Sequence, residues 1–405
     1  LSMTFSDEYI DSILTHVAAK KYTEWKWNRQ KFENIGQNYF GVILPISVMG
    51  TCKDRTACSG TKTKHVVLKL APTDERYRVS GAVTAMFQKE IFVYSVLFKK
   101  YQEIQARTSF WPTFVIPAVY FVRDEYCKEV IAMRNMCEDG YKPYTNTALL
   151  DLDHIIAALQ SLARLHALSF ILKETDSKLY DKVTKVCVPL TESSNKRYMD
   201  IMRDRLTKAI TNFEGTQYVP LLQVFKLNCG KLFDKSMELV KGTCICHGDV
   251  WKENILFKYD LNTEVLSACL LDYQTARASS PAFDTLYLII SSTHTHLRQD
   301  NYYKLLDIYY EAFHVGLQGV KLDSKTLYPR ESLDHDLKVV APACFVTANT
   351  AFWLSNGLQE EGHVRSKHVW TTAEEKILAV NNYKSVVQAI FDDFYSYGYF
   401  PVDIL

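Results

Sequence analysis

The sequence predicts an α+β chain of two lobes: a small N-terminal lobe on an antiparallel sheet and a larger, mainly helical C-terminal lobe. Three observations carry this. At 405 residues the chain exceeds what one hydrophobic core usually serves, so it divides. β-like runs dominate up to about Cys137, whereas from Leu152 onward apolar residues recur at helical spacing. Inside the helical half, Cys244 to Gln274 holds three short apolar strands that bring Asp249, Asn254 and Asp272 within one hairpin's length of chain. The boundary falls near Cys137, giving lobes of residues 1–137 and 138–405.

Composition narrows the class. A hydrophobic fraction of 47% is ordinary for a globular chain. The net charge of +1 makes no basic field, so nucleic acid is not expected as a partner. No apolar run is expected to reach the roughly 20 residues of a membrane helix. Leu1 to Ile10 carries Asp7 and Glu8 and lacks an apolar signal core. A cytoplasmic monomer is the expectation. The ten cysteines are scattered, which reads as reduced, mostly buried thiols rather than disulfides or a zinc site.

Taken in order, Ser6–Lys21 reads as a helix with Ser6 as N-cap and Ile10, Ile13, Leu14 and Val17 as its apolar stripe. Gly36 and Gly41 then bracket a polar-aromatic tip, with Asn38 and Tyr39, between two β runs. Such a hairpin can fold over phosphates with its backbone N–H groups inward. In His65–Pro72, a strand, alternation puts Lys69 on the face of Val67 and opposite Leu68 and Leu70. Phe87–Lys100 is a helix with Phe87, Ile91, Tyr94, Leu97 and Phe98 inward, and Glu90 lies one position from that stripe. A strand lysine followed by a helix glutamate is how a kinase lobe builds its ion pair. Phe114–Val122 and Glu129–Met136 read as strands. The chain then crosses between lobes, where backbone groups around Arg134 and Met136 are expected to meet an adenine.

The helix from Leu152 ends at His166, which reads as a buried packing residue. Residues 173–240 and the helical segments after Asn301 are expected to shape an acceptor pocket and to bury Phe345, Phe352, Trp353, Phe391, Phe394 and Tyr395. Pro281 opens an apolar helix in which Asp284 is free to cap or pair.

The central stretch carries the chemistry. Phosphoryl transfer needs a positioned hydroxyl, charge on the phosphates and a proton acceptor. Asp249 suits the proton acceptor. Asn254, five positions on, and Asp272, ending the next strand, supply the oxygen ligands that Mg²⁺ prefers. The order Asp, Asn, Asp is that of the protein-kinase template, so the expected architecture is a two-lobed protein-kinase-like fold using ATP and Mg²⁺. His247 is read as pinning the loop through backbone groups, and Trp251 as its anchor. Neither a P-loop, G-x-S-x-G nor H-E-x-x-H occurs.

These residues resemble a known family. H-G-D-V-W-K-E-N-I-L-F-K-Y-D with L-L-D-Y-Q is similar to the ecdysteroid kinase-like family, related to choline kinases and aminoglycoside phosphotransferases. G-Q-N-Y-F-G, V-V-L-K, F-Q-K-E-I-F-V-Y, L-A-R-L-H-A and S-S-P-A-F-D-T-L extend the likeness over most of the chain. The resemblance implies phosphorylation of a small-molecule hydroxyl, on an ecdysteroid or related steroid. Xenobiotic or phenolic acceptors, and a catalytically inactive binding protein, are the alternatives. It implies Asp249 as base, Asn254 and Asp272 as metal ligands, Lys69 on the α/β-phosphates and Glu90 orienting Lys69. Two positions depart from the family: Arg134 stands where an acidic pair is usual, and Tyr273 where Phe is usual.

Overall fold

The first lobe assembles around a five-stranded antiparallel sheet whose faces do different work. The computed structural model describes residues 5–31, 41–53, 60–107, 112–359 and 370–400. Helix α1 (Asp7–Ala18) starts where the Ser6 hydroxyl accepts the Tyr9 N–H, and it buries Ile10, Ile13, Leu14 and Val17. Strands β1 (Tyr22–Arg29), β2 (Val42–Cys52) and β3 (Thr61–Leu70) follow. Helix α2 (Glu75–Ser80) precedes one long helix, α3 (Val83–Phe92) and α4 (Phe98–Ala106), joined through a π-helical turn at Val93–Leu97. All five residues expected to face inward on it are buried. Strands β4 (Val119–Arg123) and β5 (Val130–Arg134) close the sheet, in the order β1-β2-β3-β5-β4. The first of this pair is shorter than its sequence suggests, because Pro117 has no N–H to give a ladder.

Register fixes the two faces. Lys69 pairs with Ile131 and Val67 with Met133, so these four share the face toward the second lobe. Val66, Leu68, Leu70, Val130 and Ala132 share the other face and pack on α1. A 3₁₀ turn, Met136–Asp139, carries the chain across, capped by the Asn135 side chain and closed by Gly140 at φ 85°.

The second lobe contains β6 (Tyr141–Pro143), α5 (Leu152–Thr175), α6 (Ser177–Val186), α7 (Lys196–Asn212), α8 (Val219–Leu227), α9 (Cys229–Glu238) and β7 (Cys244–Cys246). Then come β8 (Ile255–Tyr259), β9 (Val265–Leu270), β10 (Arg277–Ser279), α10 (Pro281–Ser292), α11 (Thr295–Gln318), α12 (Ser324–Leu327), α13 (Arg330–Ser355) and α14 (Ala373–Ser396). β6, β8 and β9 form one small sheet, and β7 pairs with β10. Every residue of α10 is buried, which makes it a fixed post behind the loop that follows β7.

Two expectations need correction. Helices α5 and α13 are long and apolar enough to cross a membrane by length and composition. Both are core helices, apolar around most of their circumference because neighbours surround them, and most of each is buried inside the lobe. The thiols also divide. Eight described cysteines are free, but Cys52 is disulfide-bonded. It ends β2, where a reversing chain can bring two sulfurs within bridging distance. Of the aromatics expected in the core, Phe345, Trp353, Phe391 and Phe394 are buried, Phe352 is half-buried and Tyr395 is exposed.

Candidate active site

The loop after β7 is held from four sides. Gly248 sits at φ 87°, and a Cβ there would stand 2.2 Å from the Thr275 carbonyl oxygen, so only glycine fits. The backbone N–H groups of His247 and Gly248 donate to the Asp284 carboxylate at 2.6 and 3.1 Å. Arg277 Nη1 donates to the Gly248 carbonyl at 2.8 Å. His247 uses both ring nitrogens: Nδ1 accepts the Asp249 N–H at 3.3 Å, and Nε2 donates to the Leu271 carbonyl at 2.9 Å. Burial holds its pKa down, which keeps the neutral ring with one donor and one acceptor. His247 therefore pins the loop to backbone groups, as its sequence context suggests. Gly248→Ala is expected to destabilise the fold by about 2 kcal/mol or more, read from urea midpoints; an unshifted midpoint contradicts the close approach.

Asp284 is fully buried, and burial alone would raise its pKa. His166, 3.4 Å away through Nε2, holds it low instead. Burial works against a charge on His166, but Asp284 lifts its pKa to about 9, and Nδ1 reaches the Tyr309 hydroxyl at 2.6 Å. That folded value exceeds the unfolded value of about 6.5. The stabilisation is thus complete below about pH 6.5 and is lost as pH rises through about 9. Wild type should lose on the order of 3 kcal/mol across that window, while His166→Asn should show a flatter profile by urea denaturation. Equal slopes would remove the ion pair from the account.

Asp249 stands at the end of this loop, its Oδ1 accepting the Tyr287 hydroxyl of α10 at 3.2 Å. Burial first, and the charge of Asp272 second, push its pKa up to about 7, against Tyr287 and Arg277. A base poised near neutrality accepts a hydroxyl proton efficiently. Asn254 closes a 3₁₀ turn (Lys252–Asn254), donating Nδ2 to the Asp249 carbonyl at 2.9 Å. Its own carbonyl accepts the Leu271 N–H at 2.9 Å, so the β8–β9 hairpin sets Asp272 beside it. Asp272 holds a left-handed φ of 70°, unusual for a non-glycine residue and tolerated where surrounding bonds fix it.

Those bonds come from both lobes. Lys69 Nζ lies 2.8 Å from Asp272 Oδ1 and 2.5 Å from Glu90 Oε2, and Glu90 Oε1 accepts the Tyr273 N–H at 3.3 Å. Burial disfavours the ammonium, but Asp272 and Glu90 outweigh it and raise its pKa. Lys69, Glu90, Asp249, Asn254 and Asp272 thus form one assembly across the cleft. The Asn254 amide oxygen and the Asp272 carboxylate are hard oxygen donors, the set that suits Mg²⁺.

Other expected residues fall elsewhere. Gly36, Asn38 and Tyr39 lie outside the described residues. Met136 is buried with Leu256, Cys269 and Leu271, directly beneath the hairpin that leads to Asp272. Strand alternation puts the Arg134 side chain on the α1 face with Val130 and Ala132, away from Lys69, where it is exposed and paired with Asp139. Its N–H is taken by the Ala118 carbonyl at 2.8 Å.

Of four groups around Asp249, sequence reasoning saw Asp284 only as a cap or pair and missed the other three. Asp284 holds the loop, Arg277 braces it, and Tyr287 touches the carboxylate. Tyr198 of α7 lies within electrostatic reach of Asp249 and has its own pKa pushed up to about 12, chiefly by burial. Each is distant in sequence from the H-G-D. A buried acid in an otherwise apolar helix, as at Asp284, was the one available signal.

The sequence model described as the ecdysteroid kinase-like family matches residues 35–322. No curated protein gives a significant sequence match. Among solved structures, a Plasmodium vivax ethanolamine kinase is 10% identical over 95% of this chain and 86% of its own, with a TM-score of 0.44. A choline kinase from Streptococcus pneumoniae is 10% identical over 94% and 99%, at 0.42. A mutant aminoglycoside 2′-phosphotransferase bound to GDP is 11% identical over 96% and 99%, at 0.42.

Proposed function

The chain belongs to the ecdysteroid kinase-like family, and from that premise we propose that it transfers the γ-phosphoryl group of ATP to a hydroxyl of an ecdysteroid or related steroid. The observation that carries the reading is the five-residue assembly of Lys69, Glu90, Asp249, Asn254 and Asp272 around one cleft. Asn254 and Asp272 would hold Mg²⁺, which when bound offsets charge on the phosphates. Lys69, oriented by Glu90, places a fixed positive charge for the α/β-phosphates. Asp249 takes the hydroxyl proton on Oδ2, because Tyr287 already occupies Oδ1. Asp284, His247 and Arg277 keep that carboxylate in place through the backbone of residues 247–249.

The outward placement of Arg134 supports an active enzyme over an inactive binding protein, since the residue that departs from the family lies away from the Lys69 face. The eight free thiols suit a reducing, cytosolic setting, with the Cys52 disulfide standing against it. We take the chain as a monomer. Initial rates of ADP release over a panel of ecdysteroids, other sterols, phenolic glucosides and choline test the acceptor. The ecdysteroids should show the highest kcat/KM; a phenolic glucoside in that place would move the protein to detoxification.

A further inference from the structure

Outside the catalytic cleft, the second lobe holds a cavity of about 450 Å³ between α5 and α11, a size that small-molecule sites commonly have. On α5 it is lined by Gln160 and Arg164, one turn apart on one face. On α11 it is lined by Ile308, Ala312 and Val315, at four- and three-residue spacing and all half-buried. His166, which backs the catalytic loop through Asp284, lies two residues beyond Arg164, about 200° around α5. The cavity is therefore on the far side of α5 from that loop, and none of the residues gathered at Asp249 lines it.

Apolar surface makes up most of the lining, and Arg164 supplies its distinctive chemistry. Arg164 is half-buried, and among the described residues no hydrogen bond or ion pair occupies its guanidinium. Burial holds its pKa below the usual arginine range, with no carboxylate offsetting that effect. The acids of the cavity do not serve it. Asp307 is paired with Arg330. Glu311, like Lys304, is exposed, where water and salt screen its charge. A guanidinium stays charged and presents a planar fork of donors that a carboxylate accepts in bidentate fashion. Apolar walls around one half-buried, unpaired guanidinium complement a molecule with an apolar body and a single carboxylate.

We infer that this cavity binds a small amphipathic organic anion, its carboxylate on Arg164 and its apolar body along Ile308, Ala312 and Val315. The kinase reading uses none of these residues, so the two stand or fall separately.

Calorimetric titration of the full chain with octanoate tests the site, against octanol and octylamine, which keep the chain length and change the charge. Octanoate should bind saturably at one site and more tightly than either. Arg164→Met removes a charge that burial disfavours, so the variant should fold; it should bind octanoate about tenfold more weakly and octanol as wild type does. Ala312→Trp keeps the guanidinium and fills the cavity, and it should lose octanoate binding. Urea midpoints establish that each variant is folded, and either one alone suffices for the test. Octanoate affinity should be unchanged by a non-hydrolysable ATP analogue with Mg²⁺ or by an ecdysteroid. Equal or tighter binding of octanol or octylamine, unchanged octanoate affinity in a folded variant, no saturable binding, or displacement by the analogue or the ecdysteroid would overturn it.

Discussion

Asp249→Asn is expected to lower kcat by about 10²–10⁴-fold while ATP–Mg²⁺ binding stays within a few-fold of wild type. The amide keeps the shape of the side chain and still accepts the Tyr287 hydroxyl at Oδ1. It cannot take a proton from an incoming hydroxyl. The variant should also be no less stable. Burial pushes the Asp249 pKa up to about 7, so above that pH the folded state carries a disfavoured charge that asparagine removes. Urea denaturation at pH 8 should therefore place Asp249→Asn at or above wild type, separating lost chemistry from lost folding. Undiminished turnover would withdraw the base assignment.

Lys69→Met should be the most destabilising change at the cleft, at about 3–5 kcal/mol. It leaves the Glu90 and Asp272 carboxylates facing each other with no cation between them. Nucleotide affinity should fall with it, because Lys69 is the fixed positive charge on that side of the cleft. The double variant Lys69→Met/Glu90→Gln should be less destabilised than the sum of the singles, since one unpaired charge is removed along with its partner. Additive losses by chemical denaturation would mean that the three side chains do not act as one network.

How much of this was legible depended on chain distance and on parity. Asp249, Asn254 and Asp272 could be read because a short hairpin fixes their spacing, and hairpin geometry follows from local sequence. Lys69 and Glu90 could be read because a strand and the helix after it have known periods. The same parity applies to the Arg134 side chain. Counting back through Ala132 and Val130 places it on the α1 face, away from Lys69. Asp284 and His166 were seen singly, one as a cap and one as packing. Their joint hold on the H-G-D backbone spans more than 100 residues of chain, and only tertiary packing brings it about. The apolar runs of α5 and α13 were underrated for a related reason: a helix surrounded on all sides is apolar all round, like a helix in lipid.

Tyr198, Tyr287 and Arg277 form the part of the site that no motif announced. They come from α7, α10 and β10 and meet only at Asp249 and Gly248. The side chains gathered around Asp249 and Gly248 thus come from the regions that carry least pattern. The reaction was therefore readable from sequence, and the acceptor was not.

The central claim is that Asp249 accepts the proton of a small-molecule hydroxyl as that oxygen takes the γ-phosphoryl group. Phosphorus NMR of wild type and Asp249→Asn with ATP, Mg²⁺ and an ecdysteroid tests it most directly. Wild type should produce a new phosphomonoester signal in step with ADP, and Asp249→Asn should produce none while still binding nucleotide. A phosphomonoester formed at equal rates by both proteins, or by neither although each binds ATP and the steroid, would contradict it.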